Sequence, residues 1–182
     1  MQVQLRNMTK ADIDSVCMLL ESIITNTYKL NNIKNDDLFD FIAEKQHGVK
    51  TFVSNDISTG IYKCVIYDDA LIGIGGIYPV CDDIKKNIPS IYHKDLEIGS
   101  IYIDPSFQRM GIANRIMTEL IKELDVYDKE YFFLDCGYRS SQIYWANKLG
   151  TPYKRLASYF GKDEHYLIWK VELRKAKEIF KI

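Results

Sequence analysis

At 182 residues, with 47% hydrophobic and 27% charged side chains, the chain is long enough to bury one core without metal or disulfide staples and lies far from the composition of disordered segments. Its 24 lysines and arginines against 25 acidic residues leave no bulk field that would draw it to nucleic acid or to an anionic membrane. No apolar run approaches the roughly 18–20 residues that span a bilayer, and residues 1–10 lack the apolar stretch of a secretion signal, so a single cytoplasmic domain over residues 1–182 is expected.

Val3, Leu5 and Met8 alternate as a short strand, and Thr9 with Asp12 forms a capping box for the helix that follows. In that helix Ile13, Val16, Cys17, Leu20, Ile23 and Ile24 recur at three- and four-residue steps, with an end expected near Tyr28. Residues 29–37 read as a loop, and Leu38, Phe39, Phe41 and Ile42 as a shorter helix closing before Gly48. Residues 62–67 and 71–78 are β-rich runs joined by an Asp68-Asp69-Ala70 turn, which makes a hairpin ended by Pro79. Gly73, Gly75 and Gly76 in its second strand call for a bend or the close approach of another backbone. Residues 81–95 read as a polar surface excursion. A strand over 97–103 stops at Asp104-Pro105, because proline cannot donate to a ladder. A helix starting near Met110 follows, with Ile112, Ile116, Met117, Leu120, Ile121 and Leu124 on one face. Then come a strand over 131–136, a helix over 140–149 ended by Gly150, and a last strand over 166–173. The order describes a mixed α/β or α+β sheet.

Cys17, Cys64, Cys81 and Cys136 are scattered, without a Cys-x-x-Cys pair or a histidine at ligand spacing, so reduced thiols and no metal are expected. His47, His93 and His165 stand apart in sequence, and no serine or cysteine sits in a nucleophile elbow, which argues against a covalent enzyme intermediate.

The most informative stretch is residues 97–113, a strand, a short loop and a helix start. A loop feeding a helix aims several N–H groups and the positive end of the helix dipole outward, which suits an anion such as phosphate. Gly111 and Ala113 leave no bulk between main chain and ligand, and Gln108 and Arg109 can add donors at the rim. A plain helix start containing a glycine accounts for these residues equally well.

Gln108-Arg109-Met110-Gly111-Ile112-Ala113, following the strand end Ile103-Asp104-Pro105, resembles the phosphate-binding signature of the GCN5-related N-acetyltransferase (GNAT) superfamily: Gln or Arg, two residues, Gly, one residue, Gly or Ala. The start at residues 6–12, the hairpin, and the Lys148-Leu149-Gly150 turn also sit where that family has counterparts. The resemblance implies a GNAT-like acyl-CoA N-acyltransferase fold: a mostly antiparallel central sheet with a splayed parallel pair, flanked by helices. It implies acetyl-coenzyme A as co-substrate, with residues 110–113 on its diphosphate and the opened edge of Ile101, Tyr102 and Ile103 pairing with the pantetheine amides as an added strand would. Arg139, with Ser141, stands at a helix start that could touch the cofactor's outer portion.

The activity so implied is direct transfer of an acetyl group to a primary amine of a small molecule or peptide. An amine with a free pKa of roughly 10.4 arrives protonated, so a carboxylate must accept a proton, and Glu97 resembles the position of the general base in the histone acetyltransferase branch. A main-chain N–H near Tyr102 or Ile103 could stabilise charge on the carbonyl oxygen. Many relatives protonate the leaving sulfur with a tyrosine where this chain has Ala146; Tyr144, Tyr153 or Tyr159 could substitute, with Tyr144 the first choice, while Trp145 is a core residue. The Ala146 departure also fits a catalytically inactive acyl-CoA-binding or sensing module. A nucleotide-binding domain is disfavoured, since neither Gly-x-Gly-x-x-Gly nor a Walker lysine is present. A hydrophobic helix face and the final strand could join two copies into a homodimer, and nothing in the sequence names the acceptor.

Overall fold

The computed structural model describes residues 2–31, 33, 37–51 and 60–182. They form two compact units, Met1–Tyr78 with Ser100–Leu120, and Pro79–Gly99 with Ile121–Ile182. Seven strands, β1 (Gln4–Asn7), β2 (Ile61–Tyr67), β3 (Ala70–Pro79), β4 (Leu96–Ile103), β5 (Tyr131–Cys136), β6 (Lys154–Gly161) and β7 (Glu164–Glu172), make a mixed α/β sheet in the order β1-β2-β3-β4-β5-β7-β6. The β1–β2, β2–β3, β5–β7 and β6–β7 pairs are antiparallel, and β4 and β5 are parallel. Among the described residues no helix is long and apolar enough to cross a membrane, and no group of three or more His, Cys, Asp or Glu side chains could hold a metal ion.

In the first unit, β1 (Gln4–Asn7) leads through a one-turn 3-10 helix into α1 (Ile13–Asn31). The carboxylate of Asp12 accepts from the Thr9 amide and hydroxyl, both at 2.8 Å, and holds Arg6 in a two-pronged ion pair at 2.6 and 2.8 Å. This pairing, led by the hydrogen bonds from Arg6, keeps the Asp12 carboxyl well below the usual carboxylate range. Helix α1 buries Val16, Cys17, Leu20, Ile23, Ile24 and Tyr28, the stripe that its periodicity predicts, and runs on to Asn31. Helix α2 (Leu38–Thr51) passes through Gly48 instead of closing before it. A glycine inside a helix costs only about 1 kcal/mol, and burial of Val49 in the last turn outweighs it. Expectations on residues 32, 34–36 and 52–59 lie outside the described residues.

Strands β2 (Ile61–Tyr67) and β3 (Ala70–Pro79) form the predicted hairpin, with a tighter turn than expected. Only Asp68 and Asp69 make it, with φ of +46° and +62°, the two left-handed positions of a type I′ turn, and Ala70 already belongs to β3. Gly75 is explained by a neighbour: a Cβ there would lie 2.3 Å from Ile116 Cγ2 of α4 (Ile112–Val126), so the helix rests directly on the β3 main chain.

The second unit holds the start of β4 (Leu96–Ile103), then β5 (Tyr131–Cys136), α5 (Arg139–Leu149), β6 (Lys154–Gly161), β7 (Glu164–Glu172) and α6 (Leu173–Phe180). Two of these escape the sequence pattern. The β6 strand lies at the sheet edge and alternates half-exposed with exposed positions, so it lacks an apolar face, and α6 shows only Leu173, Ala176 and Phe180 as its buried stripe. Residues 81–95 are not a surface excursion. They contain the one-turn helix α3 (Asp82–Lys85), and Val80, Ile84 and Ile88 are buried in a core with Phe133, Tyr166 and Ile168. Val80, Ile84 and Ile88 recur at four-residue steps, but one apolar residue per turn among charged neighbours is too thin a stripe to mark a buried face.

Candidate active site

The residues of the loop and helix start, 101–113, lie in the first unit. Strand β4 is buried at Leu96, Glu97 and Ile98 and half-exposed from Gly99 onward. Its register with β5 is a single pair, Glu97 with Phe133. Ser100 then adopts φ of +51°, a backbone that strands avoid and that turns the chain as a bulge does. The Ser100 and Tyr78 hydroxyls, 3.0 Å apart, brace this turn. Ile101, Tyr102 and Ile103 follow as the half-exposed end of the strand.

The loop beyond is closely tied. The Asp104 amide donates to the Ile72 carbonyl, and the Asp104 carboxylate accepts from the Ser106 amide, both at 2.8 Å, which starts a 3-10 turn over Pro105–Phe107. The Gln108 side-chain amide reaches back to the Ile103 carbonyl at 3.1 Å. Arg109 has φ of +62° and Gly111 φ of +79°. Because Gly111 is outside helical geometry, α4 begins at Ile112 and not near Met110 as expected; the Ile112 side chain, 2% exposed, anchors the first turn. Among the described residues the amides of Gly111, Ile112 and Ala113 have no acceptor, and a Cβ on Gly111 would meet nothing within 4 Å. Three N–H groups without a protein acceptor at a helix start, with open space over Gly111, suit a phosphate oxygen. Met110 and Arg109 are exposed beside it.

Glu97, Tyr144 and Arg139 lie in the second unit. Glu97 is 3% exposed and is the one buried carboxylate among the described residues. Its Oε2 accepts from the Cys81 amide at 2.7 Å, where Cys81 caps α3. Burial first, and then the charge of Glu97, hold the Cys81 thiol far above its ordinary range. On β5, Asp135 accepts from the Tyr166 hydroxyl at 2.5 Å. Burial, followed by Asp135, keeps the Tyr166 phenol protonated. Cys81, Asp135 and Tyr166 were not singled out from sequence, although a charge inside the apolar run 131–136 is a signal that Asp135 offered.

Tyr144 is half-buried and edge-on to Trp145, with ring centroids 4.7 Å apart; burial raises its phenol. Two residues are about 200° on a helix, so Tyr144 projects from a different face of α5 than exposed Ala146. Tyr159 stacks on Tyr166 at 5.1 Å and donates to Asp83 at 3.2 Å, and Tyr153 meets Phe133 edge-on at 6.4 Å. Arg139 is exposed as the first residue of α5.

The profile described as the Acetyltransferase (GNAT) family matches residues 27–150, more than half of the chain. The chain belongs to the GNAT acetyltransferase family. Comparison with curated proteins found no match. Among solved structures, a GNAT-family acetyltransferase from Streptococcus agalactiae is similar at a TM-score of 0.66 and 17% identity, covering 93% of this chain and 95% of its own. The Salmonella typhimurium protein yncA, solved with its cofactor acetyl-CoA, aligns at 0.65 and 14%, covering 95% of each chain. The PaiA N-acetyltransferase of Thermoplasma acidophilum, in complex with coenzyme A, aligns at 0.65 and 14%, covering 93% of this chain and 99% of its own. At such identities these likenesses establish the GNAT fold.

Proposed function

We propose that this GNAT chain transfers the acetyl group of acetyl-coenzyme A directly to a primary amine of a small molecule or peptide. The observation that carries the reading is the set of acceptor-free amides at Gly111, Ile112 and Ala113, with open space over Gly111. A diphosphate fits such a set without needing basic side chains, and Met110, Gln108 and Arg109 complete the rim. Ile101, Tyr102 and Ile103 would run beside the pantetheine arm, and Arg139 would touch the outer portion. Bound acetyl-coenzyme A would supply the activated acyl group as a thioester.

The chain's own contribution is then positioning and proton removal. Glu97 accepts the proton that the ammonium must lose before nitrogen can attack, and main-chain N–H groups near Tyr102 or Ile103 offset charge on the acyl oxygen. Tyr144, whose burial keeps its proton in place, is the candidate donor to sulfur. Tyr144→Phe is expected to lower turnover only a few-fold, because a thiolate with a pKa near roughly 8.5 leaves without a strong acid. Thiol release from acetyl-coenzyme A should be measured against polyamines, amino acids, aminoglycosides and peptide N-termini. Turnover with one class and no acetylated enzyme supports direct transfer, whereas accumulation of acetyl-enzyme contradicts it. Ala146 favours one other reading, an acyl-CoA-binding module without catalysis, which predicts binding but no thiol release across the panel.

A further inference from the structure

Glu97 and Asp135 are carboxylates on neighbouring parallel strands, and the register fixes how they face each other. Glu97 stands opposite Phe133, so Asp135, two residues further along β5, points to the same side of the sheet. With strands about 4.8 Å apart and two residues spanning about 6.6 Å, their Cα atoms lie about 8 Å apart, within reach of two side chains converging on one space. Two neutral groups stand in that space. Cys81 gives its amide to Glu97, and Tyr166 gives its hydroxyl to Asp135. The Cys81 thiol and the Tyr166 phenol each feel the charge of both carboxylates, which places all four groups in one electrostatic neighbourhood.

We propose, resting on the reading of Glu97 as proton acceptor, that Asp135 held by the Tyr166 hydroxyl is a positioning residue whose charge makes Glu97 the stronger base. With both carboxylates ionised in a partly dry site, their repulsion is far less screened than in water. When the ammonium N–H bond breaks, its electron pair stays on nitrogen and the proton joins Glu97, so the pair passes from two negative charges to one and the repulsion is relieved. The Tyr166 hydroxyl keeps Asp135 in the ionised form that exerts this effect, while the Cys81 amide works in the opposite sense by stabilising ionised Glu97. Among the described residues, three further charged or titratable groups on the elements packed here have partners of their own. Lys170 of β7 lies over the rings of Tyr92 and Tyr131 at 4.1 and 3.9 Å, Tyr131 donates to Asp95, and Asp83 of α3 takes the Tyr159 hydroxyl.

The test is a titration of the full chain carrying carboxyl-13C glutamate, followed by NMR, with the Glu97 signal assigned by its loss in Glu97→Gln. Asp135→Asn keeps an oxygen for the Tyr166 hydroxyl and removes the charge, so the Glu97 midpoint should fall by about one pH unit, and Asp135→Glu should return it. An unmoved midpoint in folded Asp135→Asn overturns the proposal. Should that variant not fold, the native chain labelled at both residue types decides: a coupled pair titrates in two linked steps, and independent single steps overturn the proposal. Failure of the base reading looks different. Glu97→Gln retaining full thiol release with an active amine removes Glu97 from the chemistry and leaves the midpoint shift in place.

Discussion

Gly111→Ala separates what the loop before α4 needs for folding from what the proposed diphosphate contact needs. At φ of +79° a side chain costs about 1–2 kcal/mol through the backbone alone. The protein adds nothing to that cost, since a Cβ would meet no atom within 4 Å. In a chain of this length about 1–2 kcal/mol corresponds to a melting temperature lower by about 2–8 °C. The new methyl, however, stands where the proposed diphosphate comes close to the main chain, so coenzyme A affinity should fall at least about tenfold, or about 1.4 kcal/mol. Gly150 supplies the control. It has φ of +78° and equally open surroundings, but caps α5, so Gly150→Ala should cost at least as much stability and leave coenzyme A affinity unchanged. Thermal melts with calorimetric titration of each variant give both numbers. Gly111→Ala binding coenzyme A as tightly as the native chain would refute the reasoning.

Three further outcomes are expected. Gly75→Ala puts a Cβ 2.3 Å from Ile116 Cγ2 and should destabilise by about 1–3 kcal/mol, of which Ile116→Leu, lacking that branch methyl, should recover part in a double-mutant melt; simple additivity would contradict the contact. Because Asp12 titrates below its unfolded value, its contribution is present above about pH 3.9 and lost as pH falls toward the folded value. Screening at Arg6, whose side chain is 39% exposed, holds this to about 1 kcal/mol, so Asp12→Asn should lose about that much near neutral pH and flatten the acid arm of the stability curve. Burial pushes the Cys64 and Cys136 thiols up to about 12, so a thiol reagent near neutral pH should modify neither until the chain unfolds.

The elements legible in sequence are those whose local pattern and tertiary burial agree. Helix α1 announces its stripe through strict spacing, its start through Thr9 and Asp12, and the β2–β3 hairpin announces its turn through two aspartates that tolerate positive φ. Where a fold depends on long-range neighbours, the pattern is silent. Glycine marked Gly111 as special, but serine gives no sign that Ser100 turns β4 at φ of +51°. Gly48 suggested an end that burial of Val49 overrides, and residues 81–95 seemed polar because Val80, Ile84 and Ile88, though at helical four-residue steps, are a single apolar residue per turn among charged neighbours. For the same reason the loop motif was readable in one run of residues, whereas the surroundings of Glu97 come from Cys81, Asp135 and Tyr166, brought together only by strand pairing and the cap of α3.

The account rests on main-chain amides as the ligand's grip, and amide-resolved NMR during titration with coenzyme A observes them directly. Gly111, Ile112 and Ala113 should show the largest 1H–15N shifts, and pantetheine, which lacks the diphosphate, should leave them in place. Saturable coenzyme A binding with those three signals unmoved would contradict it.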